Sequence, residues 1–408
     1  MPGLTTAKGG KGMHISPAMA NAWTRYLEGL EEMRQMIYSS KFAATQSGQA
    51  EAHYLVYQAQ ACAFQMAIAP RPDYPAFFPY FDPLFYTWAG MVPDFCYRNV
   101  VRLDGSRKYR IWGKRGTTKM LLMQVQNGFW NDPQDQVKLL GNFDLDKLQT
   151  SPDGSFEIVA SAQPQDGNWF ELDPDSRNNC ILVREAYYDW ENEHAAELHI
   201  EVIDNKPSPP WVFDEKEFIE RIDGAVRYMK YPIEFFTMSI TQNIIDRVGY
   251  HTFYTPSFEG GASPAATYNM LAYDLGPDDA LIIESEIPNP KYWGVLVTDN
   301  WTQTTDYVFH QSSTNGHQAV IDSDGKFRAV LSRQDPGVPN WLDPVDSLQG
   351  QIQVRWYYAE RSALPTARKV PVNKVRDYLP PETPSVTLEE RATLLGIRHR
   401  AAQRRYHR

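Results

Sequence analysis

Three cysteines in 408 residues, at positions 62, 96 and 180, are too few and too scattered for a disulfide framework or a paired-cysteine metal knuckle. No apolar run approaches the roughly 18 residues that a membrane span requires. The opening Met1–Gly12 is rich in glycine and lysine and has no apolar core of the kind a secretory signal carries. Positive charge is also short. Forty Lys and Arg face 50 Asp and Glu, so the net charge of −10 gives a nucleic-acid role no electrostatic support. A phosphate-binding loop, the Rossmann glycines, a G-x-S-x-G elbow and an H-E-x-x-H pair are all missing; GGAS at 260–263 lacks the Lys-Ser/Thr that should follow. These absences predict a cytoplasmic protein with neither membrane nor nucleic acid as a partner, and without a local signature of covalent nucleophilic chemistry.

Aromatic residues are what the chain has in excess: 23 Tyr, 19 Phe and 11 Trp, 13% of the total. Such density suits β-rich cores and pockets for apolar or ring-shaped ligands. The local patterns predict an α+β protein that is mainly β. A helical hairpin (1–72) opens the chain, with Ser16-Pro17 as cap and first residue of a helix to about Tyr38 and a second helix over 50–69. The segment 74–88 is aromatic with prolines at 75, 79 and 83, a spacing that excludes regular helix and central strand. A first β-rich domain (73–205) follows, with strands near 97–103, 108–113, 118–126, 155–161, 180–185 and 197–203. A proline-rich link leads into a helical linker (206–250), where Asp214 and Glu217 form a capping box and a second helix starts at Pro232. The second β-rich domain, jelly-roll-like or sandwich-like, covers 251–365. A tail (366–408) holds a helix opened by Thr387 and Glu390, with a basic end expected to be solvated or to meet a partner. No short-period repeat is present, and no residue-level self-similarity links the two β regions.

The stretch 291–357 concentrates the chemistry. Strands at 292–297, 318–321, 326–331 and 351–356 flank polar loops, and loops on a β scaffold are where sites usually lie. Residues 351–356 alternate strictly, with Ile352, Val354 and Trp356 opposite Gln351, Gln353 and Arg355, which leaves Arg355 as a pocket cation or a surface residue. His310 and His317, with Asp299 and Asp306 just upstream, could hold a divalent metal, although their spacing fits no strict ligand template. His317, aimed by the Asn315-Gly316 turn, is the better acid/base candidate, assisted by Asp299 or Asp335. Arg333 could clamp an anionic group or pair internally with Asp335 or Asp343. Tyr97, Arg98, Trp301, Asn315, Asn340 and Trp341 complete the predicted substrate contacts.

Several motifs are together familiar: DFCYR at 94–98, LDG at 103–105, YRI at 109–111, GNW at 167–169, LDPD at 172–175, LVR at 182–184, YW at 292–293, STNGHQ at 313–318, DPGVPNWLD at 335–343 and RW at 355–356. Over about residues 90–360 the chain resembles the bacterial family catalogued as domain of unknown function 1214. The resemblance implies a β-rich, jelly-roll-type fold and, in some members, hydrolase activity. One departure is that the histidine which the family implies a few residues after Leu342-Asp343 is replaced here by PVDS at 344–347. The expectation is therefore an enzyme of small-molecule metabolism, a lyase or hydrolase acting on an apolar or aromatic oxygenated compound by acid/base chemistry. The alternative is a non-catalytic protein binding a carbohydrate or hydrophobic metabolite. No cofactor is predicted beyond that divalent metal, and the helical hairpin offers a homo-oligomer contact.

Overall fold

The computed structural model describes residues 15–80, 87–208, 210, 214–257, 263–361 and 363–406. Parts of the aromatic-proline segment (81–86), GGA at 260–262 and Pro209 of the proline-rich link lie outside the described residues.

Two long helices lead, α1 (Pro17–Ser39) and α2 (Gln46–Ala63). Ser16 accepts from the Met19 amide and Pro17 fills the first turn, so the cap forms as the sequence implies. Strands β1 (Phe78–Pro79), β2 (Phe95–Leu103), β3 (Tyr109–Lys114), β4 (Met120–Gln126), β5 (Leu139–Asp144), β6 (Ser155–Ser161), β7 (Trp169–Glu171), β8 (Asn179–Ala186) and β9 (Glu197–Val202) then build a first sandwich. Helix α3 (Glu215–Pro232) does not stop at its proline. It passes through a π-helical stretch, Ile233–Ile240, into α4 (Thr241–Val248). A second sandwich uses β10 (Ala266–Asp274), β11 (Asp279–Ser285), β12 (Tyr292–Asp299), β13 (Ser313–Asn315), β14 (Phe327–Ser332), β15 (Trp341–Leu342), β16 (Gln349–Tyr357) and β17 (Thr366–Pro371), and α5 (Leu388–Tyr406) ends the chain. Residues 318–320, expected in a strand, form none; only Ile321 bridges, to Phe327. Thr366–Pro371, grouped with the tail by its polar composition, is an edge strand on β11.

The two sandwiches share one topology. In the first, the sheets run β1-β2-β8-β4-β5 and β7-β6-β3-β9; in the second, β10-β16-β12-β13 and β15-β14-β11-β17. Apart from the extra β1, each strand has its counterpart in the same place, including the parallel pairs β6–β7 and β14–β15. The likeness extends to side chains. Asn168 accepts from the Gln149 amide and donates to the Gln149 and Glu157 carbonyls; Asn340 accepts from the Val320 amide and donates to the Val320 and Arg328 carbonyls. The next residue, Trp169 or Trp341, donates its indole N–H to the carbonyl of Ser161 or Ser332. Tyr97 lies opposite Arg184 on β2 and β8, and Tyr268 opposite Arg355 on β10 and β16. Tyr97 and Tyr268 are 171 positions apart (268 − 97), as are Arg184 and Arg355. The chain is an internal duplication of an eight-stranded unit, a self-similarity that its sequence conceals.

Alternation orders four layers. Ile181 and Val183 of β8 enter the first sandwich core, and Ile352, Val354 and Trp356 of β16 enter the second. Their neighbours on the opposite faces look at each other across the gap between sandwiches. Phe95, Met120 and Leu122 there pack on Tyr292, Leu296 and Tyr357. The helices close one end through a cluster holding Trp88, Trp130 and Trp301. The C-terminal helix is not solvated on its inner face. Arg391, Arg398 and Arg405 recur every seven residues, two helical turns, and so share one face. All three are buried. Arg391 pairs with Asp335 at 2.9 Å, while Arg398 donates to Tyr307 and Ser313 and stacks with Arg405 on Trp190.

Candidate ligand-binding cavity

Between the sandwiches, where β2 and β8 face β10 and β16, the layers leave a cavity. Its room for the centres of water molecules is about 90 Å³. One water needs roughly 10–15 Å³ on that measure, so the space holds several waters or a small organic molecule. The lining follows the duplication. Tyr97, Asn99, Leu182 and Arg184 come from the first repeat, and Tyr268, Met270, Gln353 and Arg355 stand at the equivalent positions of the second. Phe129 and Trp130 add aromatic wall, and Phe235, Phe236 and Ile240 from the π-helical stretch close the helical end.

Arg355 is the chemical centre of this space. It is buried, its Nη2 donates to the Gly90 carbonyl at 2.6 Å and to the Gln353 amide oxygen at 2.8 Å, and its guanidinium lies 5.1 Å from the Tyr268 ring centroid. Its Nε, also buried, makes no hydrogen bond. A guanidinium held by neutral partners in a low-dielectric space carries a desolvation penalty of several kcal/mol. Arg184 sits opposite, donating to Gln124 Oε1 at 2.7 Å. Burial pushes the Tyr97 phenol up from its ordinary pKa, while Arg355 and Arg184 pull it down.

The wall is built on strained backbone. Ala89 and Thr302, both on the lining, have φ of 58° and 61°, the left-handed region that costs a non-glycine residue of order 1–3 kcal/mol. The two strained loops hold each other: Gly90 N donates to Thr302 O at 2.7 Å, and Thr304 N to Thr87 O at 2.6 Å. Gly90 has φ 61°, which a side chain would strain, and a Cβ there would lie 2.8 Å from the Gln353 amide nitrogen, forcing that side chain to move. Asp299 ties down the second loop. Its carboxylate accepts from the Trp301 and Gln303 amides, both at 2.8 Å, and from Gln303 Nε2 at 2.9 Å. Burial pushes Asp299 up to about 7, with Glu51 adding to the effect.

Of the residues singled out from sequence, Tyr97 and Arg355 lie on this cavity, Arg355 as the pocket cation rather than a surface residue, and the others are dispersed. His317 is exposed, its Nε2 3.8 Å from Asp189, whereas His310 bonds Asp343 through Nδ1 at 2.8 Å. Among the described residues, no group of three or more His, Cys, Asp or Glu side chains gathers as a metal site. Arg333 is exposed and pairs with Asp346 rather than Asp335 or Asp343, because Asp335 is taken by Arg391. Arg98 pairs with the buried Glu185. Trp301 is core, edge-on to Phe42. Asn315 donates at 2.8 Å to the buried Asp94, which also accepts from Trp190 and Tyr292 and so binds the two sandwiches together. Asn340 and Trp341 serve the turn described above. Sequence reasoning left Arg184, Tyr268 and Gln353 out. The signal was available in LVR at 182–184 and QVR at 353–355, each followed closely by a tyrosine pair.

No family model matches the chain, and no curated protein does either. Among solved structures, the chain is similar to an uncharacterized protein of Burkholderia cenocepacia, with a TM-score of 0.77 and 25% identity over 86% of this chain and 97% of that one. The VPA0106 protein of Vibrio parahaemolyticus scores 0.47 at 12% identity, over 78% and 98% of the two chains, too low to add to it. The fold is thus shared with a solved bacterial protein.

Proposed function

We propose that the cavity between the sandwiches binds a small anionic molecule with an apolar or aromatic body. The observation carrying this reading is Arg355: a buried guanidinium with neutral partners and an unpartnered Nε, facing an aromatic-walled space on strained loops. An incoming carboxylate or sulfate would supply the missing charge and accept from the guanidinium, an interaction of the strong, charge-assisted kind. The test is quenching of tryptophan fluorescence, with Trp130 on the wall as reporter, by a panel of aromatic and aliphatic carboxylates. Saturable quenching weakened 10- to 100-fold in Arg355→Gln is expected, about 1.5–3 kcal/mol for a charged hydrogen bond. Equal affinity in the variant would remove the basis of the assignment.

Turnover of the bound compound by lyase or hydrolase chemistry is the second reading, favoured by the position of Tyr97. Burial keeps this phenol protonated at neutral pH, as a general acid must be. Two guanidiniums nearby would stabilise the phenolate left when its proton passes to a departing oxygen. Tyr97→Phe should then bind ligand normally and form no product. On motifs alone we also propose kinship with domain of unknown function 1214, whose GNW and PNW segments are the paired Asn-Trp turns of the two repeats. Cytoplasmic residence fits Cys62 and Cys180, both buried as thiols. No helix among the described residues is long and apolar enough to cross a membrane.

A further inference from the structure

The helical layer carries a second feature, remote in kind from the cavity. Helices α1 and α2 turn an apolar face outward. Trp23 and Leu27 form a ridge on α1, Tyr54 and Tyr57 stand on α2 with Phe64 in the turn of helix just after it, and Ile15 sits at the start; these six side chains are between 48% and 69% exposed. Beside the ridge runs a groove between α1, α2 and α3, which reaches Met19, Ile68, Phe218 and Ile222, and none of its lining residues is charged. Ridge and groove belong to the same patch, so two copies related by a twofold axis can each seat the ridge in the other's groove.

We propose that this face is the dimer interface of the protein, its occupant being a second copy of the same chain. Three observations select that occupant. At 150–250 Å² for a large aromatic side chain, the six residues expose roughly 700 Å² per copy, near the ~800 Å² per partner of a standard stable interface. Aromatics, methionine and the lack of charge match the composition of an interface centre. A net charge of −10 opposes adsorption to an anionic bilayer.

The experiment is sedimentation equilibrium of the full chain over a wide concentration range, for wild type, Trp23→Lys/Leu27→Glu and, separately, Tyr57→Lys. Wild type should weigh twice the 46.8 kDa chain, and the double variant should return the single-chain mass. Far-UV circular dichroism should match wild type, since all three side chains face water within a single copy and no packing inside the chain is lost. A wild type that stays at 46.8 kDa throughout, or variants that all remain dimeric, would overturn the proposal. Flotation of a monomeric wild type with phosphatidylcholine vesicles, lost in the variants, would overturn it in favour of a lipid surface.

Discussion

Replacing Arg355 with methionine separates a binding residue from a structural one, because the two roles predict opposite changes in stability. Methionine keeps the apolar stem and removes the charge. The folded protein loses two charge-assisted hydrogen bonds, to Gly90 O and to Gln353 Oε1, at about 1.5–3 kcal/mol each. It also sheds the several kcal/mol of desolvation that a buried, neutrally partnered cation carries. The balance lies close to zero or on the stabilising side, and replacing buried ionic groups by apolar ones of similar volume has that effect elsewhere. Calorimetry of the ligand-free protein should therefore show an unchanged or higher Tm for Arg355→Met, while the carboxylate titration shows lost binding. A residue that improves stability when removed and abolishes binding is one kept for function. A fall in Tm of several degrees with binding intact would refute the reasoning and make Arg355 a strut between Gly90 and Gln353.

Two further outcomes test the frame around the cavity. Asp299, pushed up to about 7 from 3.8 by burial, holds a proton in the folded state that the unfolded chain releases. Stability should therefore fall as pH rises through the window between these values, by of order 4 kcal/mol at most. Urea unfolding of Asp299→Asn should lack that slope. A wild type that gains stability over the same window would show instead that the three donors hold the carboxylate charged. Asn340→Ala and Asn168→Ala each delete three hydrogen bonds to backbone, but Asn340 is buried and Asn168 half-buried. The first should cost about 2–4 kcal/mol by the usual penalty for stranded buried groups, and the second about half that. Equal losses would break the link between burial and cost.

The alternation over 351–356 was legible, and so were the caps of α1 and α5. What alternation could not say is that the polar face of β16 is dry. Gln351, Gln353 and Arg355 read like a wet face, yet they are buried because the first sandwich and the helical layer lie across them. The arginines of α5 misled in the same way: charge at a helix end suggests solvent, and only packing shows that the seven-residue spacing brings three of them inward. Strand β17 reads as loop because TARKVP is an edge with little to bury. The duplication stayed hidden because the identities at matched positions are few and scattered, such as Tyr97 with Tyr268 and Ile181, Val183 and Arg184 with Ile352, Val354 and Arg355. The core positions of the repeats accept any apolar residue of about the right size.

A cavity lying on the seam of two repeats differs from one made by two identical subunits. Identical subunits must present the same groups to both halves of a ligand, so any substitution is made twice. On a fused chain each half drifts alone. Asn99 and Leu182 in one repeat stand where Met270 and Gln353 stand in the other, while the tyrosine–arginine pairs remain matched. The two ends of the cavity thus share a cationic theme and have separate neighbours. A molecule bound as proposed would then be gripped in one orientation only, as selective recognition of an unsymmetrical compound demands.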